Sequence, residues 1–316
     1  MPAYKTILIA GPTASGKSGL AIKLAKQMNG VIINTDSMQV YRDLRILTAR
    51  PSLAEEAEAP HKLYGFVDAS DVFSTGAWLR AVTSILPELQ AGFQTLIFVG
   101  GTGLYFSALT AGLSDIPETP NQLRQQLRDE LKAGGSKALY AQLQAEDLAS
   151  AACLQPTDGQ RIVRALEVLR HTGRPLRSWQ VENSTPLVDL DLPETKAIIL
   201  NPEPGLLAAN IAKRFSYMIE CGALAEVQAL IDRRLEPELP AMKAIGVTQL
   251  REHLAENLSL DEAVALAVIA SRQYAKRQRT WFRRQMNENW QRFDGGPSAF
   301  AAFNVESVQG LPNIPR

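Results

Sequence analysis

The residues best equipped for chemistry stand close to the start of the chain. In "GPTASGKS", residues 11–18, Gly11, Gly16, Lys17 and Ser18 fall at the spacing G-x-x-x-x-G-K-S/T, between the apolar run "TILIA" and the helical pattern "GLAIKLAKQM". A loop so placed turns its backbone N–H groups inward onto a phosphate, adds one ammonium charge and offers a hydroxyl to Mg²⁺. Gly11, Pro12, Thr13, Ala14, Ser15, Gly16, Lys17 and Ser18 are therefore the expected phosphate-binding residues, with Ser18 the expected magnesium ligand. The spacing does not say which phosphate is held. Nucleotide hydrolases pair such a loop with a carboxylate, commonly an Asp ending an apolar strand, that holds Mg²⁺. Here the run "TLIFVG" (95–100) passes into "GGTGLY" with no acid. The acid lies elsewhere: in "VIINTDS", Asp36 stands just past the second apolar run, at the edge where a doubly wound sheet binds ligands. Hydrolysis of a nucleotide is disfavoured by this arrangement, while a small-molecule kinase using ATP stays open as an alternative.

The elements that must position these residues follow from periodicity. "TILIA" (6–10), "VIIN" (31–34), "YGFVD" (64–68), "TLIFVG" (95–100) and "KAIIL" (196–200) are short apolar runs of the kind that form buried parallel strands, with helical patterns between several of them. The alternation predicts an α/β fold, a P-loop NTPase-like doubly wound parallel sheet. After "GLSDIPETP" (112–120) the strand pattern stops. Thr119 can cap a helix with Pro120 in its first turn, and Leu123, Leu127 and Leu131 recur every four residues. "DGQRIVRALEVLRHTG" continues the helical stretch, burying Ile162, Val163, Leu166 and Leu169 and stopping at Gly173. The expected organisation is a core over 1–116, an all-helical insertion over 117–195, and a second part of the core over 196–316 that carries the C-terminal helices. The longest of these starts at Ser259, where Glu262 completes a capping box, and is expected to run to about Trp290. From "DGGPS" onward the pattern is weak and partial order is expected.

Composition bounds the remaining classes. Of 316 residues, 46% are apolar and 21% charged, the balance of an ordinary globular protein, and no apolar run approaches the length of a membrane span. The start of the chain has no signal-peptide layout, so a cytoplasmic protein is expected. Cys153, Cys221 and three histidines show no metal-ligand spacing. Basic and acidic residues balance at 33 each, yet Arg272, Lys276, Arg277, Arg279, Arg283, Arg284 and Arg292 face only Glu288 within one stretch. Without a clear heptad seam, a monomer is the expectation.

Taken together, "GPTASGKS", "DSMQVYR", "GGTGLYFSAL", "PTDGQRIVRALEVLRHTGRPL", "RFSYMIECGALAEVQAL", "AIGV" and "SRQYAKRQRTWFRR" occur in the order found in the tRNA dimethylallyltransferases, and the chain resembles that family from Thr6 to about Arg284. The resemblance implies transfer of a dimethylallyl group from dimethylallyl diphosphate to N6 of the adenine next to the tRNA anticodon, on its 3′ side, with release of diphosphate. The phosphate loop would then hold a leaving group, with Lys17 and Mg²⁺ stabilising the charge that develops there. It further implies that Arg214 of the "RF" helix binds the diphosphate. Asp36 would be the base for the amine, and Thr102 of "GGTG" would donate a hydrogen bond at the reacting centre. The partners implied are dimethylallyl diphosphate and the anticodon stem-loop, whose base must be flipped to reach the diphosphate.

An RNA stem-loop requires a positive surface. Arg161 and Arg164 share one helix face with Gln160 beside them, while Lys276, Arg277, Arg279 and Arg283 are interleaved with Trp281 and Phe282. The resemblance extends tRNA contact to Asp36, Ser37, Met38, Gln39 and Thr102, to Arg124, to Gln160, Arg161, Ile162, Val163 and Arg164, to Lys243 and Gly246 of "KAIGVT", and to Lys276, Arg277, Arg279 and Arg283. The chain departs from the family pattern in four places. It has "TARP" for the usual "TAKP", "HKL" for "HHL", Val247 and Thr248 after Gly246, and Asn210 where an arginine is commoner.

Overall fold

The computed structural model describes residues 5–181 and 185–303. Its elements in chain order are β1 (Thr6–Ala10), α1 (Lys17–Gln27), β2 (Gly30–Asn34), α2 (Leu53–Glu58), β3 (His61–Lys62), α3 (Thr75–Gly92), β4 (Thr95–Gly100) and α4 (Gly103–Ala111). There follow α5 (Asn121–Glu146), α6 (Leu148–Ala151), α7 (Gly159–Thr172) and α8 (Leu176–Val181). The chain continues through β5 (Thr195–Leu200), α9 (Pro204–Glu220), α10 (Ala223–Asp232), a single 3₁₀ turn at Ala241–Lys243, α11 (Val247–Leu254), α12 (Leu260–Gln285), β6 (Trp290–Phe293) and α13 (Gly296–Ala301). Among the described residues, no helix is long and apolar enough to cross a membrane.

Two compact units emerge: one joins the chain up to Thr110 with the chain from Leu187, and the other is Ala111–Pro186. The first holds a six-stranded sheet, ordered β3-β2-β4-β1-β5-β6, in which every pairing is parallel. Its central strands carry apolar side chains on both faces because both faces are covered. Leu8, Val31, Ile33 and Phe98 point into one core, while Ile7, Ile9, Ile32, Ile97 and Ile198 point into the other, beneath α1. This is the doubly wound sheet expected from the sequence.

The second unit is helical. Leu127, Leu139 and Leu143 of α5 meet Ile162, Val163 and Leu166 of α7 in a core of their own. A 26-residue α5 is interrupted at Gly135 (φ 75°, ψ 173°), and α7 stops, as expected, at Gly173.

Several expectations are corrected. "YGFVD" is not a strand: β3 lies earlier, pairing His61 and Lys62 with Ile32 and Ile33, and the chain turns at Leu63 (φ 63°) so that only Val67 bridges to Tyr41. Thr119 caps no helix; it is buried and takes a 3.4 Å hydrogen bond from Arg164 Nη1, while Pro120 occupies the cap position. The helical unit spans 111–186 rather than 117–195, because the returning chain already lies on the core at Leu187 and Val188, whose N–H groups both donate to Leu109 O.

The box of Ser259 and Glu262 caps α12 as expected, but the helix ends at Gln285. Past it Met286 turns extended, and Trp290 is drawn into the core against Phe106, starting a sixth strand that the sequence reading missed. Beyond Asp294, where the weak pattern predicts partial order, α13 buries Ala299, and Phe303 just past it is buried as well; residues 304–316 lie outside the described residues.

Candidate active site

The phosphate loop leaves β1 and enters α1 through two residues with left-handed backbone, Ala14 (φ 64°) and Gly16 (φ 85°). Glycine adopts this conformation without strain and so suits Gly16, the cap of α1, whose first backbone N–H groups lack helical partners. Ser15 Oγ is buried and makes no hydrogen bond within the protein. Such an orphaned hydroxyl suits an anion in the loop. Ser18 lies exposed in the first turn of α1.

Lys17 Nζ donates to Pro12 O at 3.1 Å, and burial pulls its pKa down to about 8, with the Asp36 carboxylate opposing and the Arg214 guanidinium assisting. From α9, Arg214 donates to Thr13 Oγ1. Burial lowers its guanidinium to about 10, against the pull of Asp36, so it remains a cation at neutral pH. The commoner arginine position on α9 holds Asn210, whose Nδ2 is 3.5 Å from Ala14 O. Two cations thus converge on the loop from the chain segments after β1 and after β5.

Asp36 lies just past β2. Asn34 braces the turn, its Oδ1 accepting from Asp36 N (2.9 Å) and its Nδ2 donating to Asp36 O (3.0 Å). Asp36 Oδ1 accepts from Met38 N at 3.0 Å, and its other oxygen lies along the backbone of Gly101, 3.2 Å from where a Cβ would be. Thr102 caps the far side of this turn: Ser37 N–H donates to Thr102 Oγ1 (2.9 Å), which donates to Ser37 Oγ (3.2 Å). The Asp36 turn and the Thr102 turn are therefore one hydrogen-bonded unit at the C-terminal edge of β2 and β4.

The remaining expected RNA residues are more scattered. Gln39 is committed inward, its Nε2 donating to Thr48 O and Ala49 O at 2.9 Å each. Lys243 is exposed in the 3₁₀ turn, whereas Gly246 is buried at the start of α11. On α12, Lys276, Arg277 and Arg283 are exposed, and Arg279 Nε donates to Asn201 Oδ1 at 2.8 Å.

In the helical unit, Gln160 and Arg161 are exposed, Arg161 paired with Asp158 at 3.2 Å; Arg164 is partly buried beside Glu167, and Arg124 lies 3.9 Å from Glu118. Ile162 and Val163 cannot offer side chains to RNA. They are 0% and 6% exposed, in the core formed with α5, where their apolar spacing puts them.

The sequence reading missed Gln278, which is 6% exposed in the middle of the basic run. Its Oε1 accepts from Thr13 N and its Nε2 donates to Gly101 O, each at 2.9 Å. Tyr274, one turn earlier, has its phenol pKa raised by burial and by Asp36, and its hydroxyl interacts with the side chains of Gln278 and Thr102. A signal was available: Ala263, Ala267, Ser271, Ala275, Gln278 and Phe282 form the buried stripe of α12, which places a polar amide on an apolar face.

The known proteins similar to this chain point to one family. A family described as IPP transferase matches residues 39–285, and one described as isopentenyl transferase matches residues 4–68. A tRNA dimethylallyltransferase of Rhizobium etli is 52% identical over 286 residues, 90% of this chain and 96% of that protein. One of Rhodopseudomonas palustris is 52% identical over 282 residues, 89% of this chain and 87% of that protein. Among solved structures, the full-length tRNA isopentenylpyrophosphate transferase of Bacillus halodurans superposes with a TM-score of 0.65 at 32% identity, covering 95% of this chain and 94% of that one. A eukaryotic dimethylallyltransferase solved acting on tRNA gives 0.80 at 27% identity, covering 95% of this chain and 79% of that one. With half its residues shared over nine-tenths of its length, the chain belongs to the tRNA dimethylallyltransferase family.

Proposed function

We propose that this protein transfers the dimethylallyl group of dimethylallyl diphosphate to the exocyclic N6 of the adenine on the 3′ side of the tRNA anticodon, releasing diphosphate. The observation that carries the reading is the meeting of opposite charges at one sheet edge. Lys17 of the phosphate loop and Arg214 of α9 both lie within electrostatic reach of the Asp36 carboxylate, whose turn is hydrogen-bonded to Thr102. As the allylic C–O bond breaks, negative charge grows on the leaving diphosphate, so fixed cations and loop N–H groups favour the transition state over the ground state. The adenine amine is a weak nucleophile because its lone pair is delocalised. A carboxylate that accepts its proton as the C–N bond forms lowers that barrier, and Asp36 is the carboxylate we assign to it.

Magnesium would add charge neutralisation at the diphosphate. Among the described residues, no three His, Cys, Asp or Glu side chains gather as a metal site. Ser18, which follows Lys17 in the first turn of α1, would be the protein's ligand, with diphosphate oxygens and water completing the shell, a donor set that suits Mg²⁺. The exposed Lys276, Arg277 and Arg283 supply positive charge for the stem-loop phosphates.

The test is mass analysis of nucleosides from an anticodon stem-loop incubated with the protein and dimethylallyl diphosphate. Dimethylallyladenosine is expected. Asp36→Asn is expected to lower turnover by about 10²- to 10⁴-fold while stem-loop binding persists. Absence of the modified base from the wild-type reaction, together with ATP-dependent phosphorylation of a metabolite, would support a kinase instead.

A further inference from the structure

Gln278 sits among Lys276, Arg277 and Arg279, yet both functional atoms of its amide are turned into the protein. One arm accepts the N–H of Thr13, in the loop assigned to the leaving group, from a residue whose own hydroxyl is held by Arg214. The other arm donates to the carbonyl of Gly101, the residue before Thr102 and beside Asp36. A Cβ on Gly101 would lie 2.2 Å from Gln278 Nε2, so a glycine is required for this close approach. One turn before Gln278, Ala275 of α12 joins Leu207 and Ile211 of α9 in a small apolar cluster against which Ala14 of the loop packs.

No other residue type does this as well at that place. Glutamate has no donor for Gly101, methionine has neither arm, and asparagine is one methylene shorter. β1 and β4 already run side by side to Ala10 and Gly100, and beyond those strand ends the two bonds of the planar amide fix how the phosphate loop stands to the Asp36–Thr102 turn. In a displacement whose leaving group is held by one loop and whose nucleophile is held by the other, that separation decides whether the carbon meets the amine as it leaves the oxygen.

We propose that Gln278 is a positioning residue that couples departure of diphosphate to capture of the allylic carbon by adenine N6. The inference rests on the transfer reaction proposed above. Without the clamp, the C–O bond still breaks with its electron pair going to diphosphate. The carbon is then taken increasingly by water, which loses a proton to solvent and leaves dimethylallyl alcohol, rather than by N6, which loses its proton to Asp36.

The experiment compares the wild-type protein with Gln278→Met and Gln278→Glu, given dimethylallyl diphosphate and a target stem-loop. It reads diphosphate released, adenine alkylated, KM for each substrate and the thermal midpoint. The wild type is expected to release one diphosphate per base alkylated. In the variants, kcat for transfer should fall by roughly 10²-fold, the loss expected of a displacement of about 1 Å. KM values should stay within about threefold in Gln278→Met, whereas the carboxylate of Gln278→Glu, set against the phosphate loop, should raise KM for dimethylallyl diphosphate; in both variants diphosphate release should exceed alkylation. Glu keeps the shape and one arm of the clamp, so it serves if Met prevents folding.

Variants that couple as tightly as the wild type, or that lose only thermal stability or only KM, would overturn the inference and leave the transfer reaction standing. A wild-type protein that alkylates no adenine would overturn the transfer reaction, and the clamp's role with it.

Discussion

Lys17 is pulled between burial, which disfavours its ammonium, and a ligand that requires it. In the folded chain its pKa is about 8 against an ordinary 10.5. Between those values the unfolded chain binds more protons than the folded one, so this lysine makes stability rise with pH across that window rather than fall. Diphosphate binding should respond with the opposite sign. After correction for diphosphate's own protonation, affinity should be flat below pH 8 and weaken by up to about tenfold per pH unit above it, as the free enzyme loses the cation the anion needs. Calorimetric titration of diphosphate from pH 7 to 9.5 checks this. The slope should vanish in Lys17→Met, and an unchanged slope in that variant would assign the titration to another group.

At the scale of elements, the site depends on how one long loop is held. The chain from Asp36 to Pro51 contains no regular element, yet Gln39, Asp36 and Thr102 need it fixed. Glu226 of α10 does much of that: its carboxylate accepts from the successive N–H groups of Arg45 and Ile46 (2.7 Å each) and Leu47 (2.9 Å). Hydrogen bonds to a charged acceptor are about twice as strong as neutral ones. Glu226→Gln removes the charge and leaves a single acceptor oxygen for three donors. A loss of about 2 kcal/mol is expected, read as a lower midpoint in urea unfolding with an unchanged slope. A midpoint equal to wild type would show that the loop is held by its other contacts.

Across the whole molecule, the helical unit leaves and rejoins the core at neighbouring points, since Leu187 and Val188 N–H groups bond to Leu109 O at 2.9 and 3.0 Å. Ends so close can be joined by a short flexible linker with little entropic cost. A chain in which a few Gly and Ser residues replace 111–186 is expected to fold and bind diphosphate with near wild-type affinity. Its binding to the stem-loop should weaken at least about tenfold as Arg124, Arg161 and Arg164 are lost. The slope of log affinity against log salt should fall by roughly 0.7 for each phosphate contact removed. Fluorescence anisotropy over a salt series measures both. An unchanged slope would confine RNA contact to the core, where α12 carries Lys276, Arg277 and Arg283.

What could be read without coordinates was what neighbours along the chain decide. The spacing of "GPTASGKS" after an apolar run, the acid just past "VIIN", the box of Ser259 and Glu262, and the apolar faces of α5 and α7 each depend on a few consecutive residues. The same periodicity marked Ile162 and Val163 as buried, and assigning the whole "QRIVR" block to RNA overrode it.

Folding was needed for whatever joins distant segments. Gln278 meets Thr13 across 265 positions, Arg214 meets it across 201, and Ser37 meets Thr102 across 65. The polar "WQRF" becomes a strand only because β5 offers an edge for it to pair with. Local sequence sets dihedral preference and which face is apolar, but it carries no information on which remote backbone atom will face a side chain. That is why the phosphate loop was legible from its own eight residues, and the amide that ties it to the Thr102 turn was not.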